Sequence, residues 1–149
     1  MEYTKILSEK AQGLKPSGIR KFFDMLNEIK GVIALTVGQP DFVTPWHIRD
    51  KAIKSLEEGE TYYTSNSGIL SLREEIANYL SRRFQLSYDP KNEIIVTIGG
   101  SEGIDIAIRA IVNNGDEVII PTPSFVCYGP MTEMAGGTPV FLPTYEKDN

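Results

Sequence analysis

Two spacings of apolar residues alternate along this chain, one with a helical period and one with the short continuous run of a strand. Ile19, Phe22, Phe23, Leu26 and Ile29 fall on one helical face, with Ser17 as a cap and Gly31 as a stop. Residues 32–37 read as a short strand, and Gly38-Gln39-Pro40-Asp41-Phe42 as turn chemistry. Thr44-Pro45 predicts a helix start, a capping hydroxyl followed by proline at the first helical position. Ile48, Ala52, Ile53 and Leu56 supply a stripe expected to be buried, and Gly59 ends that helix. A polar loop over residues 60–66 carries Tyr62 and Tyr63. The next helix is expected over 69–84, where Ile69, Leu72, Ile76, Leu80 and Phe84 keep close to a 3.6-residue period.

The second half is more regular. Residues 93–98 form an apolar, β-branched run expected to be a buried strand. The run empties into Gly99-Gly100-Ser101-Glu102-Gly103, and a helix is expected over 104–112. Gly115-Asp116 turns into a strand over 117–120, which leaves through Pro121-Thr122-Pro123. Met131, Met134 and Ala135 indicate a short helix stopped by Gly136-Gly137, and residues 138–142 read as a last strand. Strands alternating with helices predict an α/β fold with a mainly parallel sheet, three of whose strands follow residue 90.

Composition narrows the class. The chain has 149 residues, 41% hydrophobic and 23% charged, as expected of a globular protein with one core-forming unit. A formal net charge of -5 without a basic stripe speaks against nucleic-acid binding. No apolar run approaches membrane-spanning length, and the first five residues lack the apolar stretch of a signal peptide. Cys127 is the single cysteine, so no intrachain disulfide forms and a cytoplasmic location is expected. His47 is the single histidine, and no metal site is expected from that pair. Both residues, with Trp46, read as structural, and Arg73 reads as a helix-surface or ion-pair residue.

The glycine-rich segment at 99–103 carries the clearest chemistry. A glycine turn feeding a helix presents unpaired backbone N–H groups and the positive end of the helix dipole, a cradle for phosphate. Glycine lets the backbone approach a ligand, and Ser101 adds a hydroxyl donor, although Ser101 reads equally as a plain cap. With these segments placed, the chain resembles the N-terminal part of the class I/II aminotransferases, the fold type I family that uses pyridoxal 5'-phosphate. Four blocks match in order. Gly38-Gln39-Pro40-Asp41-Phe42-Val43-Thr44-Pro45 resembles the family's Gly-x-Pro-Asp-Phe-x-Thr-Pro. Tyr63 through Gly68 to Leu72-Arg73 resembles its Tyr-x-x-x-x-Gly-x-x-x-Leu-Arg. Thr97 to Gly103 resembles its phosphate turn. Gly115-Asp116-Glu117-Val118 with Pro121-x-Pro123-x-Phe125-x-x-Tyr128 resembles the segment that brings an aromatic onto the cofactor ring.

The resemblance implies an aspartate aminotransferase-like fold, with residues 1–44 as N-terminal arm and small-domain segment and 45–149 as the first part of a truncated cofactor-binding domain. It implies cofactor contacts from Gly100, Ser101 and Glu102, the last through its amide because a carboxylate repels phosphate. It implies that Phe125 stacks on the ring and that Tyr63 reaches across a homodimer interface to the neighbour's cofactor phosphate. Gly38 and Ile19 are implied on the substrate side, for an L-amino acid and a 2-oxo acid. An ordinary core phenylalanine, a loop tyrosine and a turn glycine are the plain alternatives for Phe125, Tyr63 and Gly38.

The family's cofactor-attaching lysine, its ring-pairing aspartate and its carboxylate-clamping arginine have no matching segment here. No catalytic residue is therefore assigned, and the chain by itself is expected to be inactive. A same-fold carbon–sulfur lyase or decarboxylase, or a non-catalytic binding or dimerisation module, remain the alternative functions.

Overall fold

The computed structural model describes residues 5–15, 18, 25, 31, 33, 38 and 40–148. The expected first helix with its apolar face, the strand over 32–37, and Ile19 lie outside the described residues, apart from isolated positions. The chain divides into two compact units, Gly18–Ile94 on one side and Met1–Ser17 with Ile95–Asn149 on the other.

In the first of these, α2 spans Trp46–Glu57 and α3 spans Leu70–Phe84 (α1, Glu9–Gly13, belongs to the other unit). Pro45 occupies the cap position of α2 and not its first helical position, one residue later than the sequence predicts. Thr44 makes no side-chain cap bond. The Pro45 carbonyl instead accepts from the N–H groups of Ile48 and Arg49 at 3.0 and 3.2 Å. Gly59 closes the turn after α2 with φ +76°, a backbone conformation that costs glycine little. The expected buried stripe of α2 is exposed at Ile48, Ala52, Ile53 and Leu56, because no described segment covers that face. α3 begins one residue after the expected start and ends where expected, closed by Gln85 in the left-handed region.

Arg73 departs from its surface reading. It is 6% exposed, and its guanidinium donates to three backbone carbonyls. Nε reaches Gly68 at 3.2 Å, while Nη1 reaches Pro90 at 2.7 Å and Lys91 at 3.1 Å. A planar, permanently charged fork suits this task, since it satisfies several carbonyls from one buried position. The turn that it grips is bonded within itself. The Lys91 N–H and the Asn92 side-chain amide donate to the Asp89 carboxylate at 2.9 and 2.6 Å. Those two bonds, the backbone one foremost, hold the Asp89 carboxyl below its usual range.

In the other unit, residues 95–97 run into α4, Gly99–Ile111. The expected strand over 93–98 is absent: no described strand pairs with this run, and Ile95 and Ile98 are exposed. A strand exists through its ladder, so apolar, β-branched composition alone does not make one. The sheet consists of β1, Glu117–Thr122, and β2, Thr138–Pro143, joined through α5, Tyr128–Ala135. The two strands are parallel, with Glu117 opposite Thr138 and Thr122 opposite Pro143. Bonds from the Thr138 N–H to the Asp116 carbonyl (2.7 Å) and from the Thr144 N–H to the Thr122 carbonyl (2.9 Å) prolong the ladder at both ends.

The packed centre of this unit is small. Ile120 is 4% exposed, and Thr132 is fully buried with its hydroxyl donating to the Tyr128 carbonyl at 2.9 Å. Gly136 ends α5 at φ +99°, and its carbonyl accepts from the Gly115 N–H at 2.9 Å, tying the turns that precede the two strands. Gly137 lies where nothing larger fits. A Cβ there would stand 2.7 Å from Val112 Cγ1, 3.1 Å from Thr132 Cγ2 and 3.2 Å from the Asp116 carbonyl oxygen.

Gly137→Ala should therefore destabilise the protein by about 2 kcal/mol through overpacking, read from the urea midpoint. Arg73→Ala should lower the same midpoint by about 2 kcal/mol, because three carbonyls lose a charged donor, and Arg73→Lys should recover part of the loss.

Candidate functional site

The first turn of α4 is where the chain changes from extended to helical backbone. Gly99 makes that change at φ +79°, which a side chain at this position would resist. The helix starts here, five residues before the position 104 that the sequence predicts, so the glycine segment is the helix's first turn and not a turn before it. The Gly99 N–H donates to the Thr97 carbonyl at 2.9 Å, and the Thr97 hydroxyl donates to the Gly99 carbonyl at 3.0 Å. Gly103 faces that hydroxyl: a Cβ there would meet Thr97 Oγ1 at 3.3 Å.

The geometry of an α-helix leaves the N–H groups of Gly100 and Ser101 without an acceptor inside the helix, while that of Glu102 stands four residues after the Ile98 carbonyl, its helical acceptor. All three residues are exposed. A Cβ placed on Gly99 or Gly100 would meet nothing within 4 Å, so open space adjoins these amides. Glu102 is the acidic residue of the first turn, and its carboxylate accepts from the Ile98 N–H. Two free amides, one serine hydroxyl and the positive end of a 13-residue helix make a donor set suited to an anion.

Phe125 lies just beyond the C-terminal end of β1, past the cis Thr122–Pro123 bond. The residue is 52% exposed, and its ring meets Tyr128 edge to face, with centroids 5.8 Å apart and planes at 75°. That contact fixes the plane of the ring while leaving much of it free. Phe125 also lines a cavity of about 290 Å³ with Ile120, Thr122, Gly129 and Phe141. Beside it, Cys127 is half-buried at the cap of α5.

Gly100, Ser101, Glu102 and Phe125 belong to one compact unit, whereas Tyr63 and Gly38 belong to the other. Tyr63 is fully exposed in its loop. Gly38 is exposed, with nothing within 4 Å of a Cβ built on it. Ile19 is outside the described residues. Sequence reasoning assigned Glu102 only its amide and gave the Thr97 hydroxyl no role, yet both side chains shape the turn. Their signal was present as a threonine two residues before a glycine carbonyl and a glutamate four residues after Ile98.

Among the described residues no helix is long and apolar enough to cross a membrane, and no cluster of histidine, cysteine or acidic residues could hold a metal.

Comparison with known proteins gives a consistent result. The family model for aminotransferase class I and II matches residues 30–149. The Bacillus subtilis protein YugH is 60% identical over 141 residues, covering 95% of this chain and 36% of YugH. Aromatic-amino-acid aminotransferase 2 of Thermococcus litoralis is 42% identical over 142 residues, again covering 95% and 36%. A solved Thermus thermophilus aspartate aminotransferase, a mutant complexed with tryptophan, superposes with a TM-score of 0.87 at 38% identity, covering 95% of this chain and 38% of that one. The chain thus spans just over a third of the length of the relatives it matches. The expected fold, α/β and aspartate aminotransferase-like, is the fold of these structures.

Thr97→Val should loosen the first turn of α4 by about 1 kcal/mol, since the Gly99 carbonyl loses its hydroxyl donor. Faster amide exchange over residues 99–103, with unchanged exchange in α3, is the measurement that checks it.

Proposed function

The chain belongs to the class I and II aminotransferase family, and from that premise we propose that it forms the N-terminal part of a pyridoxal-phosphate-dependent aminotransferase. Such an enzyme moves an amino group from an L-amino acid to a 2-oxo acid. The observation that carries the reading is the open, glycine-lined first turn of α4, whose donors fit a phosphate monoester.

In this reading the amides of Gly100, Ser101 and Glu102, with the Ser101 hydroxyl, hold the cofactor phosphate. Phe125 covers one face of the ring and keeps its plane, its own orientation set by Tyr128. When bound, pyridoxal phosphate supplies an electron sink for the substrate carbon that bears the amino group. Tyr63, fully exposed on its loop, is assigned to a homodimer interface, with its hydroxyl directed at the partner subunit's cofactor phosphate. Gly38 and Ile19 are assigned to the substrate side, where the absence of a side chain at Gly38 leaves room for a carboxylate. Residues 1–44 are assigned to the N-terminal arm and small domain, 45–149 to the first part of the cofactor domain. A single cysteine and an acidic net charge suit a cytoplasmic enzyme.

The test uses the natural full-length polypeptide supplied with pyridoxal phosphate, an L-amino acid and a 2-oxo acid. The expected products are a new 2-oxo acid and a new amino acid in equal amounts. Ammonia with a cleaved fragment, or carbon dioxide, would instead mark a lyase or a decarboxylase. Phe125→Leu should raise the cofactor's dissociation constant about tenfold, as expected for losing a stacked aromatic face. The 149-residue chain alone should form no product, since it has no segment matching the cofactor-attaching lysine.

A further inference from the structure

We propose that Glu102 is a positioning residue for the phosphate-holding turn, acting through the backbone and against its own charge. The inference rests on the cofactor reading above and goes beyond it. That reading gives Glu102 only an amide, whereas its carboxylate is here assigned a separate task.

The turn has few other supports. Ile98 precedes the helix without any side-chain cap of its own, and it is 91% exposed, so packing does not hold it. Gly99 and Gly100 have no neighbour within 4 Å of a built Cβ and bring no side chains to pack. Glycine also resists ordering more than any other residue, so two in succession favour a loose segment. Polar ties stand against that looseness. Thr97 bonds Gly99 through its carbonyl and its hydroxyl, and the Glu102 carboxylate accepts from the Ile98 N–H.

The Glu102 tie is akin to the reach-back half of a capping box but comes from one residue further on: the carboxylate at the fourth helical position accepts from the N–H of the cap residue Ile98. It closes the segment 98–102 into a ring of fixed shape. The amides of Gly100 and Ser101, which lie inside that ring, keep one direction before any ligand arrives. The bond also draws the carboxylate to Ile98, the residue preceding the glycines. A negative charge nevertheless stays in the turn that is to take a phosphate, and it lowers affinity for that group. Glu102 therefore has two opposed effects that different substitutions separate. Glutamine keeps the acceptor and removes the charge. Alanine removes both.

The experiment uses the natural full-length polypeptide as wild type, Glu102→Gln and Glu102→Ala, with two readouts. Hydrogen exchange over residues 97–103 is measured without cofactor, and the dissociation constant of pyridoxal phosphate by absorbance titration. Glu102→Gln should keep wild-type protection and bind about threefold more tightly. Glu102→Ala should exchange about fivefold faster and bind about fivefold more weakly, the effect of losing one cap. Wild-type protection in Glu102→Ala would overturn the positioning role. So would equal tightening in both variants, which would leave Glu102 only a repelling charge. If none of the three proteins binds pyridoxal phosphate, the cofactor reading fails and takes the affinity half of the proposal with it. The exchange comparison then still decides whether Glu102 ties the turn.

Discussion

An α-helix cannot satisfy its own first amides, and that geometric fact shapes the part of this chain that carries chemistry. At α4 each early N–H has a different destination. The Ile98 N–H goes to the Glu102 carboxylate, and the Gly99 N–H to the Thr97 carbonyl. The amides of Gly100 and Ser101 follow, with open space beside Gly99 and Gly100 where two side chains are missing. The proposed site is thus a piece of backbone whose donors are left over by helix geometry. Side chains act on it mainly by holding it still, which is why Thr97 and Glu102 matter as much as Ser101.

A second constraint separates what the chain can complete from what it leaves open. A strand and an apolar helix face are relations between segments, and each needs a neighbour. β1 and β2 find one another and bury Ile120. Residues 94–97, of similar composition, have no ladder, and Ile98 beyond them is exposed. The stripe on α2 is regular in sequence yet exposed at every position. These surfaces accompany a chain that covers 36% of the length of relatives such as YugH.

Legibility in the sequence followed the range of the interaction. The α3 boundaries were readable to within one residue, because a 3.6-residue period is a local property. The stop of α5 was readable because Gly136 sits at φ +99°, where other residues are strained. The start of α4 was not, because glycine reads as a helix breaker. Its penalty here is offset by the Thr97 and Glu102 ties. Arg73 was misread for a different reason, the long range of its contacts. Its burial depends on the carbonyls of Pro90 and Lys91, 17 and 18 residues along the chain.

The residue order alone determined the helices over α2 and α3, the strand–helix–strand run of β1, α5 and β2, and the resemblance to aminotransferases that the family match bears out. Those features follow from near-neighbour sterics and side-chain spacing, which act over a few residues. Tertiary structure alone decided which apolar faces are covered and that Arg73 lies inside. Burial and hydrogen bonding depend on what folding brings within a few ångströms, and spacing along the chain does not encode that distance.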